Sequence, residues 1–309
     1  MGQAGREPHL WGIPETRNYP AMDTIVVLTD LSPAAEQARR YAAQVAAPLG
    51  ARVVLLHLSQ ELTLPSNATE TSAEVRRTLP AKLQALADDM LVPTSAAIID
   101  GNFDEDIDAI IERYNPMLLV LGLTQTNSYF EALLANRALN TLRYNTCPIM
   151  LVPASAALAP PYRVVLAVDG EAFAVPAPAA GLFNEVLSTW APELAVVNTV
   201  GSAAKASIAA LQQVQASGLL RGEQRLSFQQ PVVSAPEDGI LRVLNEQRGS
   251  LLVMVARRRS LLGQLFHRSV TARVLRNTTV PVLLLPAADT EAAVAGKPQP
   301  ADELFVPLV

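Results

Sequence analysis

The chain has 309 residues, half of them apolar, and a formal net charge of -5. That length and apolar share suffice for about two domains of ordinary size, and the acidic balance excludes general binding to nucleic acid or an anionic membrane, which needs a broad excess of Lys and Arg. A single cysteine, Cys147, excludes an internal disulfide and a cysteine-based metal cluster and points to a reducing compartment.

Residues 1–21 read as a flexible leader or as sequence upstream of the true start. They lack the apolar core of a signal peptide, and no segment of the chain is an uninterrupted membrane-spanning run, so a cytoplasmic protein without a membrane partner is expected. The Met-Gly start hints at lipidation, but Arg6 stands where Ser or Thr is wanted.

The first element is "TIVVLTDLSP" from Thr24, a continuous apolar run closed by Asp30 and a turn. Runs of this kind suit a parallel strand covered on both faces. Ser32 before Pro33 predicts a helix N-cap with proline at the first helical position. Ala34, Ala38, Ala42, Val45 and Leu49 then form a small-residue stripe that ends near Gly50. "ARVVLLHLS" is the second strand. A helix carrying Leu83, Leu86 and Met90 is expected to start at Pro80. "SAAIIDG" is the third strand, and Ile107, Ile110, Ile111 and Tyr114 give the following helix an apolar face. "MLLVLG" is the fourth strand, a helix is expected around Phe130 to Arg143, and "PIMLVP" is the fifth strand.

The order then repeats with "RVVLAVD", "ELAVVNTV", "LSFQQPVVS", "LLVMVA" and "VPVLLLP". "LRYNTCPIMLVPA" from Leu142 aligns without a gap to "LRNTTVPVLLLPA" from Leu275, and "EDIDAIIERYNPMLLVLG" from Glu105 parallels "DGILRVLNEQRGSLLVMV" from Asp238. Two such blocks mean two copies of one domain, since a solenoid would show a shorter period and more copies. In the second copy Pro176 and Pro178 should delay or break the first helix.

The expected fold class is α/β: two tandem doubly wound domains, each with a five-stranded parallel sheet, over residues 22–155 and 160–287, with a C-terminal tail at 288–309. In such sheets a ligand binds beyond the carboxyl ends of the strands, where the strand order reverses. The turns bounding that crevice hold Asp30 and Gly122 in the first copy and Asp169 and Val255 in the second.

"VVLTDLS", "LLHLS", "DGNFDEDI", "LLVLG" and "CPIMLV", in this order and with the order repeated, resemble the universal stress protein family over nearly all of Asp23 to Ala287. The resemblance implies an adenine-nucleotide-binding-like fold and pairing of two domains across their last strands, which Pro148 and Pro281 introduce. It also implies an internal domain pair, with a further homodimer left open. Members that bind ATP carry Gly-x2-Gly-x9-Gly-Ser/Thr after strand four and an aspartate after strand one. Glycines there let backbone N–H groups approach phosphate. At the matching positions the first copy has Gly122, Gln125, Ala135 and Asn136, and the second has Val255, Arg258, Arg268 and Ser269. The glycine cradle is largely replaced in both, so no cofactor is assigned, with ATP or another adenine nucleotide as the candidate.

From Gln247 to Ala288 there is no acidic residue, yet Arg248, Arg257, Arg258, Arg259, Arg268, Arg273 and Arg276 all occur. Arg258 and Arg268, with His267 and Ser269, are candidates to bind a small anionic ligand through charged forks. The alternative is solvation, or pairing with carboxylates such as Glu237 and Asp238. Asp30 and Asp169 are likewise either ligand contacts or helix caps. His57 on strand two reads as a packed or edge histidine. His9, His57 and His267 lack metal-ligand spacing, no Cys-x2-Cys or His-Glu-x2-His occurs, and neither a Gly-x-Ser-x-Gly elbow nor a Gly-x4-Gly-Lys loop is present.

Three functions are therefore weighed. The first is a non-enzymatic stress-response module that binds a small molecule or a partner. The second is an enzyme, a weak nucleotide hydrolase or a nucleotidyl-transfer relative, using Asp30 or Asp169 in the crevice. The third is a structural module whose crevices are filled by its own side chains and whose surfaces, such as the tail "ELFVPLV", carry the function.

Overall fold

The computed structural model describes residues 22–59, 72–101, 103–123, 147–169, 171–198, 204–221, 226–231, 233, 235–257 and 270–289. The first copy runs β1 (Thr24–Leu28), α1 (Pro33–Leu49), β2 (Arg52–Leu58), α2 (Ser72–Asp88), β3 (Thr94–Ile99), α3 (Phe103–Tyr114), β4 (Leu118–Leu123) and β5 (Ile149–Pro153). The helix expected at Phe130 to Arg143 lies outside the described residues. The second copy runs β6 (Arg163–Val168), β7 (Phe173–Ala174), α4 (Ala177–Trp190), β8 (Glu193–Asn198), α5 (Ala204–Ala216), β9 (Leu226–Gln229), α6 (Pro236–Glu246), β10 (Leu251–Arg257), α7 (Val270–Asn277) and β11 (Val282–Asp289).

The strands join in the order β3-β2-β1-β4-β5-β11-β10-β6-β8-β9. Read outward from the middle, each half has the same order, and every pairing within a half of this path is parallel. The halves meet where β5 runs antiparallel to β11, with Val282 opposite Leu151 and Leu284 opposite Ile149. That reversal of direction relates the two copies by an approximate two-fold axis.

Consecutive strand residues point to opposite faces, and both faces are apolar. Ile25 and Val27 join a core with Ala38, Leu79, Leu83, Phe183 and Val214, the layer of α1, α2, α4 and α5. Val26 and Leu28 join a second core with Ile107, Ile110, Val243 and Leu275, the layer of α3, α6 and α7. Among the described residues no helix is long and apolar enough to cross a membrane.

The caps of α1 match the sequence expectation. Ser32 is the N-cap and accepts from Ala35 N through its hydroxyl, Pro33 follows, and Gly50 closes the helix in the left-handed conformation. The start expected for α2 at Pro80 is corrected: the helix begins at Ser72 and carries Pro80 inside. Leu79, Leu83 and Ala87 are buried at four-residue spacing, and burying that stripe outweighs the hydrogen bond that proline forgoes.

Ala191 closes α4 in the left-handed conformation, φ 43°, two residues before β8, just as Gly50 stands two residues before β2. Alanine pays for that conformation and glycine does not. Ala191→Gly is therefore expected to raise stability by about 0.5–1 kcal/mol in urea unfolding. A neutral or negative change would show that the cap is not strained.

Candidate functional site

The switch point of the first copy lies between β1 and β4, which pair in register with Leu28 opposite Leu121. The structure thus brings Asp30 and Gly122 to neighbouring strand ends. Leu31 follows in left-handed backbone, φ 63°, where a branched side chain is strained. The strain is held by two short loops of hydrogen bonds: Leu31 N donates to Thr29 Oγ1 at 3.1 Å and Ser32 N to Asp30 Oδ1 at 2.9 Å. Asp30 therefore shapes the turn, and Ser32 caps the helix. The proposed capping by Asp30 itself is corrected on this point. Asp169 behaves likewise, accepting from Glu171 N at 3.1 Å, whereas the N-cap of α4 is Pro176.

Gly122 faces the first turn of α1. A Cβ built on it would stand 2.5 Å from Ala34 C and 2.6 Å from Ala35 N, closer than real Cβ atoms approach backbone. The glycine thus lets helix and strand touch. The two copies share one register, since Ile25 pairs with Leu118 and Val164 with Leu251. Val255 accordingly stands where Gly122 does, and it is half-buried against the core.

α4 starts later after its strand than α1 does: its N-cap Pro176 stands eight residues past the end of β6, where Ser32 stands four past β1, and part of the chain between is extended as β7. Pro178, expected to break the helix, is taken into its first turn. β7 pairs with Ala288 and Asp289 at the tip of β11, beyond the last β10 partner, Arg257 opposite Ala287. Because β10 lies between β6 and β11, the chain leaving β6 passes the end of β10 to reach that place. Phe173 and Val175 are buried in the core, and Val175 N donates to Ser217 O at 3.0 Å.

In the first copy a groove lies between α1 and α2, beside the end of β1 at Thr29. Its volume is about 740 Å³, and Leu31, Ser32 and Ala35 line one side with Lys82 and Leu86 on the other. At its floor Arg39, only 4% exposed, donates to Glu36 at 2.7 and 2.8 Å, to Asp89 at 3.1 Å and to Leu86 O at 3.0 Å. Arg40 also reaches Glu36, at 2.6 Å. The Arg39 hydrogen bond, with Arg40 adding to it, holds the Glu36 carboxyl below its ordinary value against the opposing effect of burial.

A carboxyl depressed by folding contributes stability that is complete above its unfolded pKa and disappears as pH falls through the lower folded value. The thermal midpoint is therefore expected to fall on acidification below about pH 4.5, the ordinary Glu value. Glu36→Gln should show a smaller fall over that range. Equal acid sensitivity in the two proteins would remove Glu36 from the account.

Of the remaining sequence candidates, Gln125, Ala135, Asn136, Arg258, Arg268 and Ser269 lie outside the described residues. Arg273 pairs with Glu237, joining α7 to α6, so at least one arginine of the basic run serves the pairing that the sequence left as an alternative. His57 is fully buried on β2, its Nδ1 2.7 Å from Thr29 O. Burial raises the Cys147 thiol to about 12. Leu31, Arg39 and Asp89 were not singled out from sequence, and Leu86 was named only as an apolar residue of its helix. The only signal was the Glu36–Arg39–Arg40 spacing, which places an acid against two bases on successive turns.

The Universal stress protein family profile matches residues 22–153 and 186–286. The unmatched stretch between them contains β6, β7 and the start of α4. Comparison with curated proteins finds no match. Among solved structures, a universal stress protein from Archaeoglobus fulgidus aligns with a TM-score of 0.62 and 17% identity over 85% of this chain and 98% of its own. A protein of unknown function from Pseudomonas aeruginosa gives 0.50 and 16%, over 89% of this chain and 95% of its own. A universal-stress-type chain from another strain of that organism gives 0.50 and 19%, over 86% and 94%. Two matched segments on two halves with a shared strand order lead to one conclusion: this chain belongs to the universal stress protein family, as a tandem member.

Proposed function

We propose that the chain is a non-catalytic stress-response module that binds one small molecule, an adenine nucleotide being the first candidate, in the groove of its first copy. The observation that carries this reading is the groove between α1 and α2, which Thr29 and Leu31 bring to the end of β1. Its volume of about 740 Å³ lies within the ~300–1,000 Å³ usual for small-ligand sites. In the second copy β7 crosses the end of β10, and Phe173 and Val175 are buried. Leu31, Ala35, Ala85 and Leu86 offer an apolar wall for a flat ring, and Lys82 brings a positive charge to the same groove. Asp30 has one carboxylate oxygen committed to Ser32 N, which suits a structural part better than that of a general base.

Titration calorimetry and thermal unfolding with AMP, cyclic AMP, ATP and inorganic phosphate test the proposal. One nucleotide is expected to saturate at one equivalent per chain and raise the midpoint, because a ligand selective for the folded state must do so. Ala85→Trp, at an exposed position lining the groove, should abolish both effects. A midpoint unmoved by millimolar amounts of all four would overturn the reading, as would two equivalents per chain. ATP turnover that is lost in Asp30→Asn would favour an enzyme instead.

A further inference from the structure

The groove between α1 and α2 has unlike ends. Both helices return over the same face of the sheet between parallel strands, so they run side by side in one direction. On α1 the groove is bordered by the N-cap Ser32 and, two helical turns on, by Arg39; on α2 it is bordered by Lys82 and, two turns on, by Asp89. Two turns span about 10 Å. Arg39 bonds to Asp89 and to Leu86 O, so these residues lie abreast at the far end, and Ser32 and Lys82 lie at the end nearer β1.

The near end offers donors. The Ser32 hydroxyl accepts from Ala35 N at 3.2 Å, and its own O–H donates to no described residue. Lys82 is an exposed cation, and the amino end of α1 adds a partial positive charge. The far end offers acceptors. Asp89 bonds to Arg39 through Oδ2, while Oδ1 accepts from no described residue, and the side chain is 72% exposed, open to a guest in the groove. Arg39 is already neutralised by Glu36 and Asp89, so a phosphate at this end would face two carboxylates.

Donors at one end and acceptors at the other, with Ala35, Ala85 and Leu86 between them, suit a dipolar guest: an anionic group, a flat apolar middle and an N–H group beyond it. We infer that the groove orients its nucleotide, a single phosphate meeting Ser32 Oγ and Lys82 Nζ while the exocyclic amine of the base donates to Asp89 Oδ1. Asp89 thereby selects an aminopurine over a purine that lacks the amine, and Lys82 selects the nucleotide over its nucleoside. This orientation presupposes the nucleotide reading proposed above.

Titration calorimetry on the full chain compares AMP with two analogues: purine riboside monophosphate, which lacks the amine, and adenosine, which lacks the phosphate. AMP should bind on the order of tenfold tighter than either. Asp89→Ala should bring AMP and purine riboside monophosphate to one affinity while AMP keeps its advantage over adenosine. Lys82→Ala should do the reverse, shrinking the advantage over adenosine and keeping the preference for the amine. Both positions are exposed, and Arg39 retains Glu36 and Leu86 O in the Asp89 variant, so both chains should fold.

Equal affinity of the unaltered chain for AMP and purine riboside monophosphate would overturn the orientation. So would an Asp89→Ala chain that weakens for both alike, or a Lys82→Ala chain that loses the amine preference. In each of these cases the unaltered chain still binds AMP, and the nucleotide reading stands. Binding of none of the three compounds would instead overturn that reading, and the orientation with it.

Discussion

Gly122→Ala is expected to destabilise the first copy by about 3 kcal/mol or more, the upper range for overpacking. The added methyl meets Ala34 C and Ala35 N, which are backbone atoms of a capped helix turn and not the end of a flexible side chain. Relief requires α1 to move away from β4. That movement would open the small-residue contact made by Ala34, Ala35 and Ala38, all essentially inaccessible to solvent. The second copy supplies the internal control. Val255→Gly removes three carbons from a half-buried strand position, yet it is expected to cost only about 1–2 kcal/mol. Urea unfolding followed by far-UV circular dichroism measures both. If the glycine substitution were the milder of the two, helix and strand would not be in the contact described.

Phe173→Ala carries the next largest expected effect, about 3–5 kcal/mol for removal of a buried ring. The ring is 3% exposed and sits in the same core as Phe183 and Leu285. Phe173→Leu keeps most of the apolar volume and should cost less than about 1.5 kcal/mol. Loss of the ring also frees the short ladder between β7 and the tip of β11. Amide exchange at Ala174 and Ala288 is therefore expected to quicken in the alanine variant while Val165 and Val253, deep in the sheet, keep their protection. A cost below about 1 kcal/mol for Phe173→Ala would mean that the segment after β6 is not seated on the core.

Most of the strand framework was legible because its signals are local and doubled. Runs such as "TIVVL" and "LLVMVA" carry no polar interruption, and the parallel spacing of two copies fixes their order. The caps Ser32 and Gly50 were legible for the same reason, each being a short-range preference of one residue. Pro80 was misread because a local breaker was outweighed by a long-range term, the burial of Leu79 and Leu83. β7 was invisible for a similar reason: "FA" has no strand pattern of its own, and pairing with Ala288 and Asp289 across more than a hundred residues creates it.

The site was read in part. Asp30 and Gly122 were found at the right place, but the sequence offered a ligand as the reason for glycine, whereas Ala34 and Ala35 supply a steric one. Arg39 escaped notice because a charged residue on a helix ordinarily faces water. Here Leu86 O and two carboxylates enclose it, and those partners are set by how α1 packs on α2, which a linear pattern does not encode.

The antiparallel meeting of β5 and β11 has a consequence for how the halves assemble. Two separate subunits joined along such a seam would come apart on dilution, but one polypeptide closes it at an effective concentration set by its own linker. The unfolding midpoint should accordingly not vary with protein concentration. Tethering also fixes which half meets which, so neither half need remain competent to pair with a copy of itself. The second half was thereby free to lay β7 across the end of β10, an arrangement that no mirror partner has to copy.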